Sequence, residues 1–218
     1  MVEASAIAPR GLPEVRTGPR SRKGVRTRAR LLDAAKQIFE ERGFLEARIS
    51  DIAERAGVSH GAFYHYFDSK EQVFREVATA LDDRLSEPME RIILAPGAAG
   101  SPRDRLVAAL RRHLECYRDE ARIMGVIEQV ARYDEEVFAV RATAGARHRE
   151  QIADSIRRMQ RRRRADATID PEIAAAALGS MVERFAEMWL AQGQLEADLD
   201  DAAETLATLF VNALRLQP

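Results

Sequence analysis

Donor-bearing side chains crowd one short stretch of this chain, Ser59-His60-Gly61-Ala62-Phe63-Tyr64-His65-Tyr66-Phe67-Asp68-Ser69-Lys70. Imidazole, phenol, hydroxyl and ammonium groups donate hydrogen bonds to phosphate oxygens and to base acceptors such as guanine N7. Gly61 and Ala62 are small enough for a backbone to approach a groove, and an alanine methyl can meet a thymine methyl. The chemistry on offer is binding. Paired carboxylates, metal-ligand spacing, a nucleophile motif and a glycine-rich phosphate loop are all missing from the sequence. Of the four histidines, His60 and His65 lie in this stretch, which leaves only His113 and His148 elsewhere. No catalytic residue, metal site or cofactor is therefore expected.

Two short helices must position these groups. Ile52, Ala53 and Ala56 are spaced for one face of a helix. Gly57 sits where that helix would end in a left-handed turn, and Ser59 where a new one needs its first amides capped. The second helix carries Phe63, Tyr64, Tyr66 and Phe67 and stops at Asp68-Ser69, with Phe63 and Phe67 expected inside. Two such helices joined by a glycine turn form a helix-turn-helix, whose second helix enters the DNA major groove.

The run DIAERA followed by GVSHGAFYHYFDSKE resembles the DNA-binding domain of the TetR family of bacterial transcriptional regulators, a likeness covering roughly residues 26–75. The resemblance implies that His60, Gly61 and Ala62 face base edges, with Tyr64 and His65 on phosphates or bases. Ser59 caps the reading helix, and Lys70 forms a phosphate site with the free amides of the helix that follows. Arg48 stands where the family often has a capping threonine. Arg48 is accordingly expected to reach phosphate itself, with Ser50 sharing the cap. The reading helix holds no Arg or Asn, so DNA shape and the N-terminal arm are expected to share in specificity.

That arm, residues 1–22, contains Pro9, Pro13 and Pro19 with little apolar content and is expected to be disordered and basic. Arg26 and Arg28, beside the folded head, are its expected DNA contacts. Residues 1–70 carry 13 Lys or Arg against 9 Asp or Glu, about +4, so the remainder is about −5 in a chain of net charge −1. A basic end on a mildly acidic body suits a DNA-binding head.

The 218-residue chain is rich in helix formers and has no convincing strand pattern. An all-α fold of about nine helices is expected, with a three-helix head at 23–70 and a larger effector-binding and dimerisation body at 71–218. One cysteine, Cys116, excludes an internal disulfide. No apolar run is long enough to cross a membrane, and no secretory signal is evident, which points to the cytoplasm. Pro88 is expected to kink the long helix from head to body. Ser101-Pro102, Asp134, Asp170-Pro171 and Asp198 mark later helix starts.

The last two helices carry more apolar surface than one body can cover, which suggests a four-helix bundle between two copies. The family dimerises there, and one short reading helix meets too few bases to be selective alone. The family's body also holds a small-molecule pocket. Its candidate lining here is His113, Tyr117, Met124, Phe138, Arg141, His148, Phe185, Met188 and Trp189, which suits a lipophilic effector. The expected function is a homodimeric repressor on a palindromic operator, released by such an effector. The alternative is a ligand-independent DNA-organising or protein-binding factor of the same fold.

Overall fold

The computed structural model describes residues 21–93 and 101–217, with backbone alone for 86–93. Most of the basic arm expected at 1–22 therefore lies outside the described residues. These contain no strand. Their helices are α1 (Arg22–Glu46), α2 (Ile49–Arg55), α3 (His60–Phe63), α4 (Lys70–Ile93), α5 (Pro102–Asp119), α6 (Ala121–Ala131), α7 (Glu135–Arg161), α8 (Pro171–Ala186) and α9 (Leu199–Leu214). A π-turn, Glu187–Ala191, extends α8.

Helix starts follow the side chains that satisfy their free amides. Ser101 accepts from the Asp104 amide while the Asp104 carboxylate accepts from the Ser101 amide, a reciprocal box with Pro102 in its tolerated first position. Asp134, Asp170 and Asp198 cap α7, α8 and α9 by accepting from amides of the first turn. At the head of α4, Ser69 Oγ accepts from the Gln72 amide at 3.1 Å, and Gln72 Oε1 accepts from the Asp68 amide at 2.6 Å. Gly43 (φ 71°, ψ 175°) breaks α1 near its end, so the final turn to Glu46 runs in a new direction. Helix α4 is assigned continuously through Pro88.

Packing joins head and body through two helices. Helix α1 packs on α2, α4 and α6, while α4 runs on to pack against α5 and α7. In the body α5 also meets α9, and α7 meets α8. Between α1 and α4 lies an aromatic knot: the Phe74 ring centroid is 4.9 Å from Phe39, edge-on, and 4.8 Å from Phe44. Phe39 and Phe74 are fully buried.

Helix α8 does not bury every side. Ala175, Leu178, Val182 and Ala186 face the core, whereas Ile173 stays 71% exposed. Leu209 on α9 is 46% exposed.

Because Phe74 ties the head's first helix to the helix that leaves it, Phe74→Ala is expected to lower the unfolding free energy by about 3–5 kcal/mol. A lowered urea midpoint at an unchanged slope is the measurement that checks it.

Candidate nucleic-acid interface

The turn between α2 and α3 is shaped from beneath. Gly57 has φ +64°, a backbone that glycine adopts without strain. A Cβ added there would meet Arg30 Nη2 at 3.0 Å. Arg30, on α1, donates to the Ala56 carbonyl and, at 3.3 Å, to the Gly57 carbonyl. Its guanidinium thus clasps the end of α2 and needs the space that a side chain at 57 would take. Two ion pairs hold α2 to α1 from the sides, Arg42–Asp51 and Arg55–Glu41, the second bidentate.

Helix α3 is one turn long. Ser59 Oγ accepts from the Ala62 amide at 3.2 Å. Regular helix ends at Phe63, short of the expected stop at Asp68-Ser69, with Tyr64 as its C-cap. The chain goes on in tight turns, the Tyr66 and Phe67 amides both donating to the Phe63 carbonyl, at 2.9 and 3.1 Å. Phe63 and Phe67 are buried, with ring centroids 5.6 Å apart.

On the outer side His60, Gly61, Tyr64 and His65 are exposed, and Ala62 is half-buried. A Cβ at Gly61 would meet no described atom within 4 Å. Tyr64, 43% exposed, holds its ring edge-on to His60 with centroids 5.4 Å apart. These two line an open cleft of about 450 Å³ with Arg48, Ser50, Ser69 and Lys70. The cleft lies where the starts of α2, α3 and α4 converge, and its donor side chains share the lining with Asp68 and Glu71.

Two expected contacts are also engaged inside the head, and a third does not take its expected cap. Lys70 Nζ donates to the carbonyls of Phe44 (2.7 Å), Ala47 (3.1 Å) and Leu45 (3.3 Å), so each ammonium hydrogen has a backbone acceptor. It also lies 4.5 Å from the Phe44 ring centroid. Lys70 therefore pins the corner between α1 and α2 while lining the cleft. Arg28 turns inward, pairing with Glu76 on α4 and lying over the Phe67 ring at 5.0 Å, whereas Arg26 is exposed. Ser50 does not cap α2: Arg48 occupies the N-cap without a side-chain bond, and Ser50 sits exposed in the first turn. Nothing in the local sequence marks Arg30 and Lys70 for these tasks, because their partners lie more than 20 residues away.

The body candidates divide. Tyr117 and Met124 are buried, and Phe185, Met188 and Trp189 are half-buried, with the Phe185 and Trp189 rings 5.7 Å apart. Met188 and Trp189 fall in the π-turn, which packs against α6. His113 is buried, its Nδ1 3.2 Å from the Leu85 carbonyl, which assigns the proton to Nδ1, and its Nε2 has no hydrogen-bond partner among the described residues. Burial lowers its pKa, favouring the neutral ring. Arg141 donates to Asp82 on α4 and, at 2.7 Å, to Glu128 on α6, so its charge is already engaged. His148 is half-buried. Phe138 is a correction. It is 61% exposed, because its neighbour Val137 takes the inward position on α7 and the helix turns the next side chain away.

Residues 31–77 match the family model described as bacterial regulatory proteins, tetR family. Over 75 residues the chain is 43% identical to YdgC, an uncharacterized HTH-type transcriptional regulator of Bacillus subtilis. That match covers 34% of this chain and 38% of YdgC, well under two thirds of the relative's length. TtgR, an HTH-type transcriptional regulator of Pseudomonas putida, is 26% identical over 201 residues, covering 88% of this chain and 93% of its own. Among solved structures, NalD is described as the secondary repressor of the MexAB-OprM multidrug efflux pump in Pseudomonas aeruginosa. It aligns with a TM-score of 0.68 at 24% identity, over 87% of this chain and 97% of NalD. At that identity the likeness is one of fold.

Hydrogen bonds from a charged donor contribute about 1.5–3 kcal/mol, so Lys70→Ala is expected to lower stability by about that much in urea unfolding. A lysine that served phosphate alone would leave stability unchanged. For Asp82, burial pushes the carboxyl up to about 6 against the pull of Arg141, with Glu128 and Glu183 adding to the rise. The folded state then holds this proton more tightly than the unfolded chain does. Its contribution is full below the unfolded value of about 4 and is lost as pH rises to about 6, a change of about 3 kcal/mol. The stability of the wild-type chain relative to Asp82→Asn should fall by that order between pH 4 and 7 in parallel urea titrations.

Proposed function

We propose that this chain, whose residues 31–77 match the tetR family model of bacterial regulatory proteins, belongs to the TetR family and acts as a homodimeric repressor of transcription that binds a palindromic operator. It is a transcription regulator and not an enzyme. The observation that carries the proposal is the one-turn helix α3. Its apolar side is buried and its polar side, with His60, Tyr64 and His65, stands exposed beside a cleft into which three helix starts open. A surface built this way suits the major groove and its flanking phosphates. In this reading residues 23–70 form the DNA-binding unit, 71–218 the effector and dimer unit, and the protein works in the cytoplasm.

Two copies are required because one turn of helix reaches too few base pairs for selectivity, and a two-fold pair doubles the contact. The apolar exposure of Ile173 on α8 and Leu209 on α9 supports a dimer through these helices. The ring pairs Phe185–Trp189 and His113–Tyr117, on helices that meet, support a lipophilic effector held in the body. An effector that prefers the conformation with poorly spaced heads would release DNA by the difference in its affinity for the two states.

The test uses DNA selected by the protein itself from a random pool. Tyr64→Ala is expected to weaken binding at least about tenfold and to leave the salt slope unchanged, because a neutral phenol displaces no counterion, while the dimer stays intact by sedimentation. Unchanged affinity would contradict the assignment of α3.

A further inference from the structure

Glu120 is a buried carboxylate at the junction of head and body. It is at once the C-cap of α5 and the N-cap of α6, so its backbone forms the corner between two body helices. Its side chain is only 5% exposed and is met by cations from two other elements. Lys36 Nζ on α1 lies 2.7 Å from Oε2, and Arg84 Nη2 on α4 lies 2.7 Å from Oε1. Lys36 also reaches Glu40 on its own helix at 3.4 Å. Burial opposes the lysine's charge, but Glu120 and then Glu40 outweigh it, and the Lys36 pKa is raised. A carboxylate removed from water is strongly destabilised once a partner is lost, so three elements are held in one arrangement.

The placement gives this bridge a consequence beyond cohesion. The head is joined to the body covalently through α4, and Phe74 packs α1 on the head end of that helix. Contact of α1 with the body comes through α6, whose first turn begins at Glu120. The Lys36–Glu120–Arg84 bridge thus fixes α1, α4 and the α5–α6 corner against one another.

We propose that Glu120 is a positioning residue for DNA binding: through Lys36 and Arg84 it sets the angle of the head on the body, and so the half-site spacing that a pair of heads accepts. The proposal rests on the operator-binding reading above. Glu120 touches no DNA, and a shift of the α5–α6 corner passes through it to α1 without needing α4 to bend.

The experiment takes DNA selected by the full-length protein from a random pool and rebuilds it with the half-sites moved together or apart by one or two base pairs, alongside a single half-site. The parent is expected to favour one spacing by about tenfold. Glu120→Gln, which keeps the shape, and Lys36→Met, which leaves the Glu120–Arg84 pair in place, should each flatten that preference to about threefold or less. Their affinity for the single half-site should match the parent's, which also shows that the head is folded. Variants that keep the parent's spacing profile, even with all affinities lowered together, overturn the proposal. So does a parent indifferent to spacing. A parent that enriches no sequence overturns the operator reading first, and this one with it.

Discussion

A helix of four residues cannot hold itself together. Closing the first helical turn fixes several backbone angles for a single hydrogen bond, and an isolated segment this short unravels in water. Helix α3 exists because its neighbours impose it: Phe63 and Phe67 are buried beneath it, Ser59 accepts from its third amide, and Arg30 clasps the turn at its entrance. The rest of the head follows from that need. Arg30 can reach the turn only if α1 lies under α2, and α1 is kept there by the Phe39–Phe74 contact with α4 and by Lys70 at the far corner. A short element presented outward therefore draws on nearly every other element of the head.

How much of this could be read in the residues depends on the range of the interaction. Ser59, Ser101, Asp134, Asp170 and Asp198 accept from amides two or three residues away, and the helices they delimit begin where the sequence places them. The inward positions of Phe63 and Phe67 follow from helical spacing in the same way. Long side chains are less legible. Lys70 looks like a free cation next to a helix start, yet its donors are taken by carbonyls from the other end of the head. Arg28 looks like part of a basic arm, yet Glu76 and the Phe67 ring draw it in. Phe138 shows the opposite failure, since a bulky apolar residue at a plausible spacing ends up on the outside because Val137 occupies the buried register. The π-turn at Glu187–Ala191 carries no proline or glycine to announce it.

The body's buried charges share one arrangement. Arg141 joins α7 to Asp82 on α4 and to Glu128 on α6, and Glu120 joins the α5–α6 corner to α4 and α1. Each group bridges helices that apolar packing alone would let slide. Buried ion pairs add little net stability over apolar replacements, but they penalise every register except the one in which all partners meet. Helix α4 is held in this way on both sides.

The length of that helix has a geometric outcome. At 1.5 Å per residue, the 24 residues from Lys70 to Ile93 form a rod of about 36 Å. A tilt of about 5° at the body end would carry the other end sideways by about 3 Å, comparable with the length of a hydrogen bond. Motions in the body too slight to disturb its packing would thus be large enough, at the tip, to break or make polar contacts.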